Sequence, residues 1–143
     1  MISNSSKYAI KAILYLSAHS NENNKMMVKD IAEPINVPKP YIAKLLQLLS
    51  KNQVISSTRG PKGGFYLSEE NKKNSLMKII EVIDGRKKFD TCMLSLNNCD
   101  NNSHCPLHDI INPIKTKLVN RLNNIIVGEL NTEVISGSTF LPK

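Results

Sequence analysis

The chain lacks any run of about 18 consecutive apolar residues, which excludes a membrane-spanning helix. Its most apolar stretch, Ala9–Ala18, is broken by Lys11 and followed by no small-residue cleavage site, so a secretory leader is not expected. The expected compartment is the cytoplasm. Cysteine is absent outside residues 92–105, and the three present there are odd in number. In a reducing compartment that argues against a disulfide framework and for a metal or redox site. Acidic residues are too few to balance the basic ones: 12 Asp and Glu against 19 Lys and Arg leave a formal charge of +7. Such a surplus on a small body favours polyanionic partners, nucleic acid first and acidic membrane second.

What is present suits one globular domain: 143 residues, 41% hydrophobic and 22% charged. Apolar spacing predicts a helix over about Asn4–His19, with Ala9, Ile13 and Leu16 on its buried face. A short helix over about Met27–Glu33 should end before Pro34. After a tight connection, a third helix over about Lys39–Asn52 buries Ile42, Leu45, Leu46 and Leu49. Residues 54–57 and 65–67 read as the strands of a hairpin whose tip, Arg59-Gly60-Pro61-Lys62-Gly63-Gly64, is rich in backbone breakers. Ser75 caps a helix through Asp84, and Gly85 stops it. A polar loop over 86–106 holds the cysteines. A last helix is expected over about His108–Leu130, on a stripe of Leu107, Ile111, Ile114, Leu118, Leu122 and Ile125, with Pro113 either kinking it or starting it with Asn112 as the cap. The final dozen residues carry no pattern and are expected to fray.

Two short helices joined by a tight turn, then a basic hairpin, is the order of a winged helix-turn-helix. The fold class expected is mainly α with a small β-hairpin. A recognition helix needs a buried stripe to fix it and an exposed face to read base edges. Here Tyr41, Lys44 and Gln47 lie on one exposed face, and Lys39 sits at the helix start, where a phosphate would pass. Arg59 and Lys62, flanking Gly60 and Pro61, could enter a minor groove closely. Each element alone is common as a solvated turn or a surface helix; their order and shared charge make the case.

Cys92, Cys99 and Cys105 followed by His108 place four soft or borderline ligands within seventeen residues. The spacing is not that of a zinc ribbon. A metal site, redox-active thiols without metal, and idle cysteines all remain open, and His104 rivals His108 as a fourth ligand. A nucleophile–base pair of Cys105 with either histidine finds no oxyanion-forming turn, so no enzyme and no small-molecule substrate are expected. A winged-helix adaptor that never touches DNA is opposed by the basic wing.

Several stretches resemble the Rrf2 family of bacterial winged helix-turn-helix regulators. They are Tyr8-Ala9-Ile10-Lys11-Ala12-Ile13-Leu14-Tyr15-Leu16, Asp30-Ile31-Ala32, and most specifically Ser57-Thr58-Arg59-Gly60-Pro61-Lys62-Gly63-Gly64-Phe65-Tyr66-Leu67. Leu122-Asn123-Asn124-Ile125 and Gly128-Glu129-Leu130 are similar to the end of that family's long helix, so the likeness covers roughly residues 2–130. The resemblance implies a homodimeric regulator of promoter DNA, expected as a repressor. Its parts would be a DNA-binding domain over 1–85, a cluster-binding loop over 86–107, a dimerisation helix over 108–130 and a tail over 131–143. It places Arg59, Gly60 and Pro61 at minor-groove contacts. In the family's cluster-binding members, three cysteines and a histidine three residues on hold a two-iron, two-sulfur cluster; Cys92, Cys99, Cys105 and His108 stand at those places. A four-iron cluster, which some members hold with an acidic N-terminal ligand, fits less well because Lys7 stands there. Zinc or no metal stays as the alternative. The Cys92–Cys99 interval is one residue longer than the family's, and Pro40 and Ala43 replace polar recognition-helix residues, so no operator sequence carries over.

Overall fold

In the computed structural model, residues 2–92, 94, 102–135 and 137 are described. Six α-helices and one hairpin follow in order: α1 Asn4–His19, α2 Val28–Ile35, α3 Lys39–Lys51, β1 Ser56–Thr58, β2 Gly64–Tyr66, α4 Leu76–Asp84, α5 His108–Asn124 and α6 Val127–Ile135. Short 3₁₀ turns at Asn71–Lys73 and Arg86–Phe89 flank α4.

Helix α1 occupies the predicted span because its ends are capped. Ser3 Oγ accepts the Ser6 N–H at 3.0 Å, and at the other end the Ser20 N–H and Oγ both donate to the Leu16 carbonyl. Ser20 Oγ also accepts the Leu67 N–H at 3.1 Å, tying the hairpin to α1. Ala9, Ile13 and Leu16 are fully buried, packed with Ile31, Ile42, Leu46, Leu49, Ile55 and Ile79 in one core shared by α1 to α4. Burying each large aliphatic side chain contributes about 1.5–3 kcal/mol. Val127, from α6, reaches the same core.

Four features differ notably from what the sequence suggests. Helix α2 runs past Pro34 to Ile35. The proline removes only one late N–H bond, while the buried Ile35 side chain offsets the loss. Asn36 then ends the helix in the left-handed region at φ 55°. Strand β1 starts at Ser56 because Val54 and Ile55 lead into it as core side chains, each 1% exposed. The segment after α4 is not wholly polar, since Phe89 closes the 3₁₀ turn and is buried with Met77, Ile80 and Leu122.

The fourth difference is the largest. The expected single C-terminal helix is two, because Ile125 is extended and pairs its backbone with the start of α4. Leu76 N–H donates to the Ile125 carbonyl at 3.1 Å, and Val127 N–H to the Asn74 carbonyl at 3.0 Å. That break turns α6 back onto α1, and its helix reaches Ile135, into the stretch expected to fray. Pro113 lies within α5. Along α5, Ile111 and Leu118 are half-buried and Leu122 is buried. Ile114, predicted in that stripe, is instead 62% exposed, as is Ile110. At 3.6 residues per turn Ile114 is rotated about 60° from Ile111, enough to leave a narrow stripe.

Candidate nucleic-acid interface and cysteine pocket

Helix α3 is held by its buried stripe, which leaves Lys39, Tyr41, Lys44 and Gln47 exposed on the opposite side. Of these, Tyr41 is fixed by contacts to α1. Its hydroxyl shares a short hydrogen bond with Ser5 Oγ, and its ring meets Tyr8 edge-on with centroids 5.6 Å apart. A residue expected to project freely is thus braced by α1. Tyr8, Pro38, Pro40, Tyr41 and Lys44 line one shallow, largely apolar hollow at the start of α3. Sequence reasoning missed Ser5 and Tyr8 in this role, although their i, i+3 spacing puts both on one side of α1.

The wing carries Arg59, Gly60, Pro61 and Lys62, all exposed. Its turn is closed by the Gly63 N–H donating to the Gly60 carbonyl at 2.9 Å. A side chain at Gly63 would put a Cβ 2.3 Å from the Thr58 carbonyl oxygen. At Gly64, φ is +150° and a Cβ would lie 2.7 Å from the Met26 carbonyl oxygen. That close approach lets Met26 and Phe65 exchange backbone hydrogen bonds at 2.7 and 2.8 Å, adding a third extended segment to the two-stranded pair. Below the tip, Lys25 Nζ lies 5.5 Å from the Tyr66 ring centroid.

None of Lys39, Lys44, Arg59 or Lys62 forms an ion pair with an Asp or Glu among the described residues. Four exposed cations without carboxylate partners, on a rigid helix and a glycine-tight hairpin, make a surface suited to phosphates.

The cysteine segment sits between α4 and α5. Cys92, Cys105 and His108 line one pocket with Leu107, Ile111, Asn112 and Lys115, at the first turns of α5. Cys99 lies outside the described residues. The structure therefore brings two of the three predicted thiols and the predicted imidazole to one place. Among the described residues, however, no three Cys, His, Asp or Glu side chains converge closely enough to hold a metal ion. The rival imidazole, His104, stacks on His108 at 4.7 Å between centroids and points Nε2 at Asp109 Oδ1, 3.3 Å away. Two thiols and an imidazole around a pocket are a donor set that fits an iron–sulfur group or zinc chemically.

One further polar cluster joins α1 to the foot of this segment. Asp84, the last residue of α4, accepts Ser3 Oγ at 2.5 Å, Ser6 Oγ at 2.7 Å and the Ser3 N–H at 3.4 Å. Burial pushes its carboxyl up, but the serine hydrogen bonds and nearby Lys88 outweigh that and hold it below the ordinary aspartate value.

Comparison with known proteins gives a consistent result. The family model Rrf2, described as an iron-dependent transcriptional regulator, matches residues 2–133. An HTH-type transcriptional regulator of Aquifex aeolicus is 31% identical over 120 residues, covering 82% of this chain and 82% of that protein. The regulator IscR of Escherichia coli is 30% identical over 134 residues, covering 92% of this chain and 82% of its own. Among solved structures, CymR, the global cysteine regulator of B. subtilis, superposes with a TM-score of 0.73 at 20% identity, covering 92% of this chain and 96% of that one.

Proposed function

The chain belongs to the Rrf2 family of DNA-binding transcription regulators rather than to any enzyme class, and we propose that it works as a homodimeric repressor controlled at its cysteine segment. In this reading Lys39, Tyr41, Lys44 and Gln47 face the major groove. Arg59, Gly60, Pro61 and Lys62 follow the backbone into a minor groove. Gln47 and Lys44 offer hydrogen bonds to base edges; Tyr41 and the adjacent prolines offer apolar contact.

Dimerisation is supported by Ile110 and Ile114, both 62% exposed and one turn apart on α5, a face that the described residues leave open. A twofold pairing through α5 would set the separation of the two reading heads.

The observation that carries the regulatory half is the shared pocket of Cys92, Cys105 and His108 at the N-terminal end of that helix. Those three, with Cys99, would hold an iron–sulfur cluster, with two-iron, two-sulfur favoured over four-iron, four-sulfur by His108. Bound there, the cluster would supply iron–thiolate bonds sensitive to oxygen, nitric oxide or iron shortage. The chain's own part is mechanical: Cys92 follows α4 and His108 opens α5, so bonding across the pocket fixes one helix against the other. The reading heads ride on that angle.

Anaerobic reconstitution with iron and sulfide tests the proposal. Absorption near about 400 nm, roughly stoichiometric iron and sulfide, and a changed gel-shift affinity for a promoter fragment are expected. A colourless, iron-free protein overturns the cluster. A second reading, a thiol switch without a cluster or with zinc, is favoured by the two thiols lining one pocket and by the shared fold with CymR. Oxidant-dependent, iron-independent DNA affinity would select it.

A further inference from the structure

One buried amide ties the base of the wing to the exit of α3. Asn71, 6% exposed in the 3₁₀ turn after β2, collects three donors on Oδ1: Ser56 Oγ at 2.7 Å, the Ser68 N–H at 2.9 Å and Ser68 Oγ at 2.8 Å. Its own N–H donates to Ser68 Oγ at 3.1 Å, and its Nδ2 donates to the Gln53 carbonyl at 3.1 Å. These partners are not neighbours in function by accident of sequence. Gln53, at φ 61°, turns the chain out of α3; Ser56 opens β1; Ser68 follows β2. The exit from the recognition helix and the feet of both wing strands therefore meet at one buried side chain. On the next residue of β1, Ser57 Oγ hydrogen-bonds Ser50 Oγ of α3 at 2.7 Å.

The network continues the other way. The Asn71 carbonyl accepts the Asn74 N–H at 3.1 Å and Asn74 Nδ2 at 3.0 Å. The Asn74 carbonyl accepts the Val127 N–H, the first residue of α6, at 3.0 Å. The break between α5 and α6 is thus hydrogen-bonded to the turn that carries Asn71.

From this geometry we infer that Asn71 is a positioning residue, setting the wing's angle against α3 and joining that angle to the α5–α6 break. The inference rests on the wing's role under the proposed function. A two-stranded pair of three residues each has little stability of its own, so its direction depends on what holds its base. Removing the amide takes the acceptor from two serine hydroxyls and the Ser68 N–H, and the donor from the Gln53 carbonyl, at once. Cation placement at Arg59 and Lys62 then loses its reference to the recognition helix.

The test is a double-mutant cycle on the full chain, read by gel shift with the tightest duplex selected from a random pool. In the otherwise native protein, Arg59→Ala should weaken binding more than about tenfold; in the Asn71→Ala background the same change should cost only about two- to threefold. Factors that simply multiply overturn the inference. Should Asn71→Ala fail to fold, Ser56→Ala deletes one donor and should show the same coupling at smaller amplitude. The second arm is amide exchange: Asn71→Ala should speed exchange at Ser68 and Val127 but not at Leu46 of the core. Unchanged protection at Val127 removes the joint to α6. If Arg59→Ala alone leaves affinity untouched, the wing's DNA role fails instead, and exchange at Ser68 and Val127 decides the structural joint separately.

Discussion

Gly64 shows how a single residue sets the wing. With φ at +150° and the Met26 carbonyl oxygen 2.7 Å from where a Cβ would be, Gly64→Ala must break the Met26–Phe65 pairing. A loss of about 1–3 kcal/mol is expected, measured by urea unfolding. Asp84 makes a different prediction. Its folded pKa is depressed, so the stability it contributes is present above the unfolded value and disappears as pH falls through the folded one. Asp84→Asn should therefore be less stable than the native chain near neutrality, with the gap closing below about pH 4. Equal acid limbs for the two proteins would discount the Ser3–Ser6–Asp84 cluster. The residues of the wing's turn were legible in the sequence because arginine, glycine and proline in that order have few other uses. Asn71 and Ser5 were not, since a polar residue on a short turn or a helix end gives no sign of the partner that folding brings to it.

At the scale of elements, α1 and α4 could be read to their ends, for both carry a serine cap and an apolar stripe of helical period. The C-terminal helix could not. Its apolar spacing runs on through Ile125, and nothing local stops it; the break is made by Ile125 and Val127 pairing with Asn74 and Leu76, some fifty residues earlier. Among the described residues, α5 is left with an exposed apolar face at Ile110 and Ile114. Replacing Ile110 and Ile114 together by Asp should yield a monomer by light scattering, with little change in helix content. A dimer that survives the double change would move the interface elsewhere. Leu46→Ala, at the centre of the shared core, should by contrast cost about 2–5 kcal/mol without touching the exposed face of α3.

On the whole molecule the surplus of basic charge has a direct consequence. With Lys39, Lys44, Arg59 and Lys62 of each chain exposed and lacking carboxylate partners among the described residues, promoter affinity should fall at least about a thousandfold between 50 and 200 mM salt for a dimer. A nearly flat salt dependence would contradict binding through α3 and the wing. Sequence alone determined the charge, the apolar stripes, the hairpin and the cysteine grouping, because each is a local pattern of residue types. Tertiary structure alone decided which chain segments meet. It bent α6 back onto α1, set Cys92 beside Cys105 and His108 across an interval of sequence, braced Tyr41 with Ser5, and gathered the wing's base on Asn71. Such contacts form when distant segments share a core, and backbone groups drawn in with them must find whatever partner lies opposite.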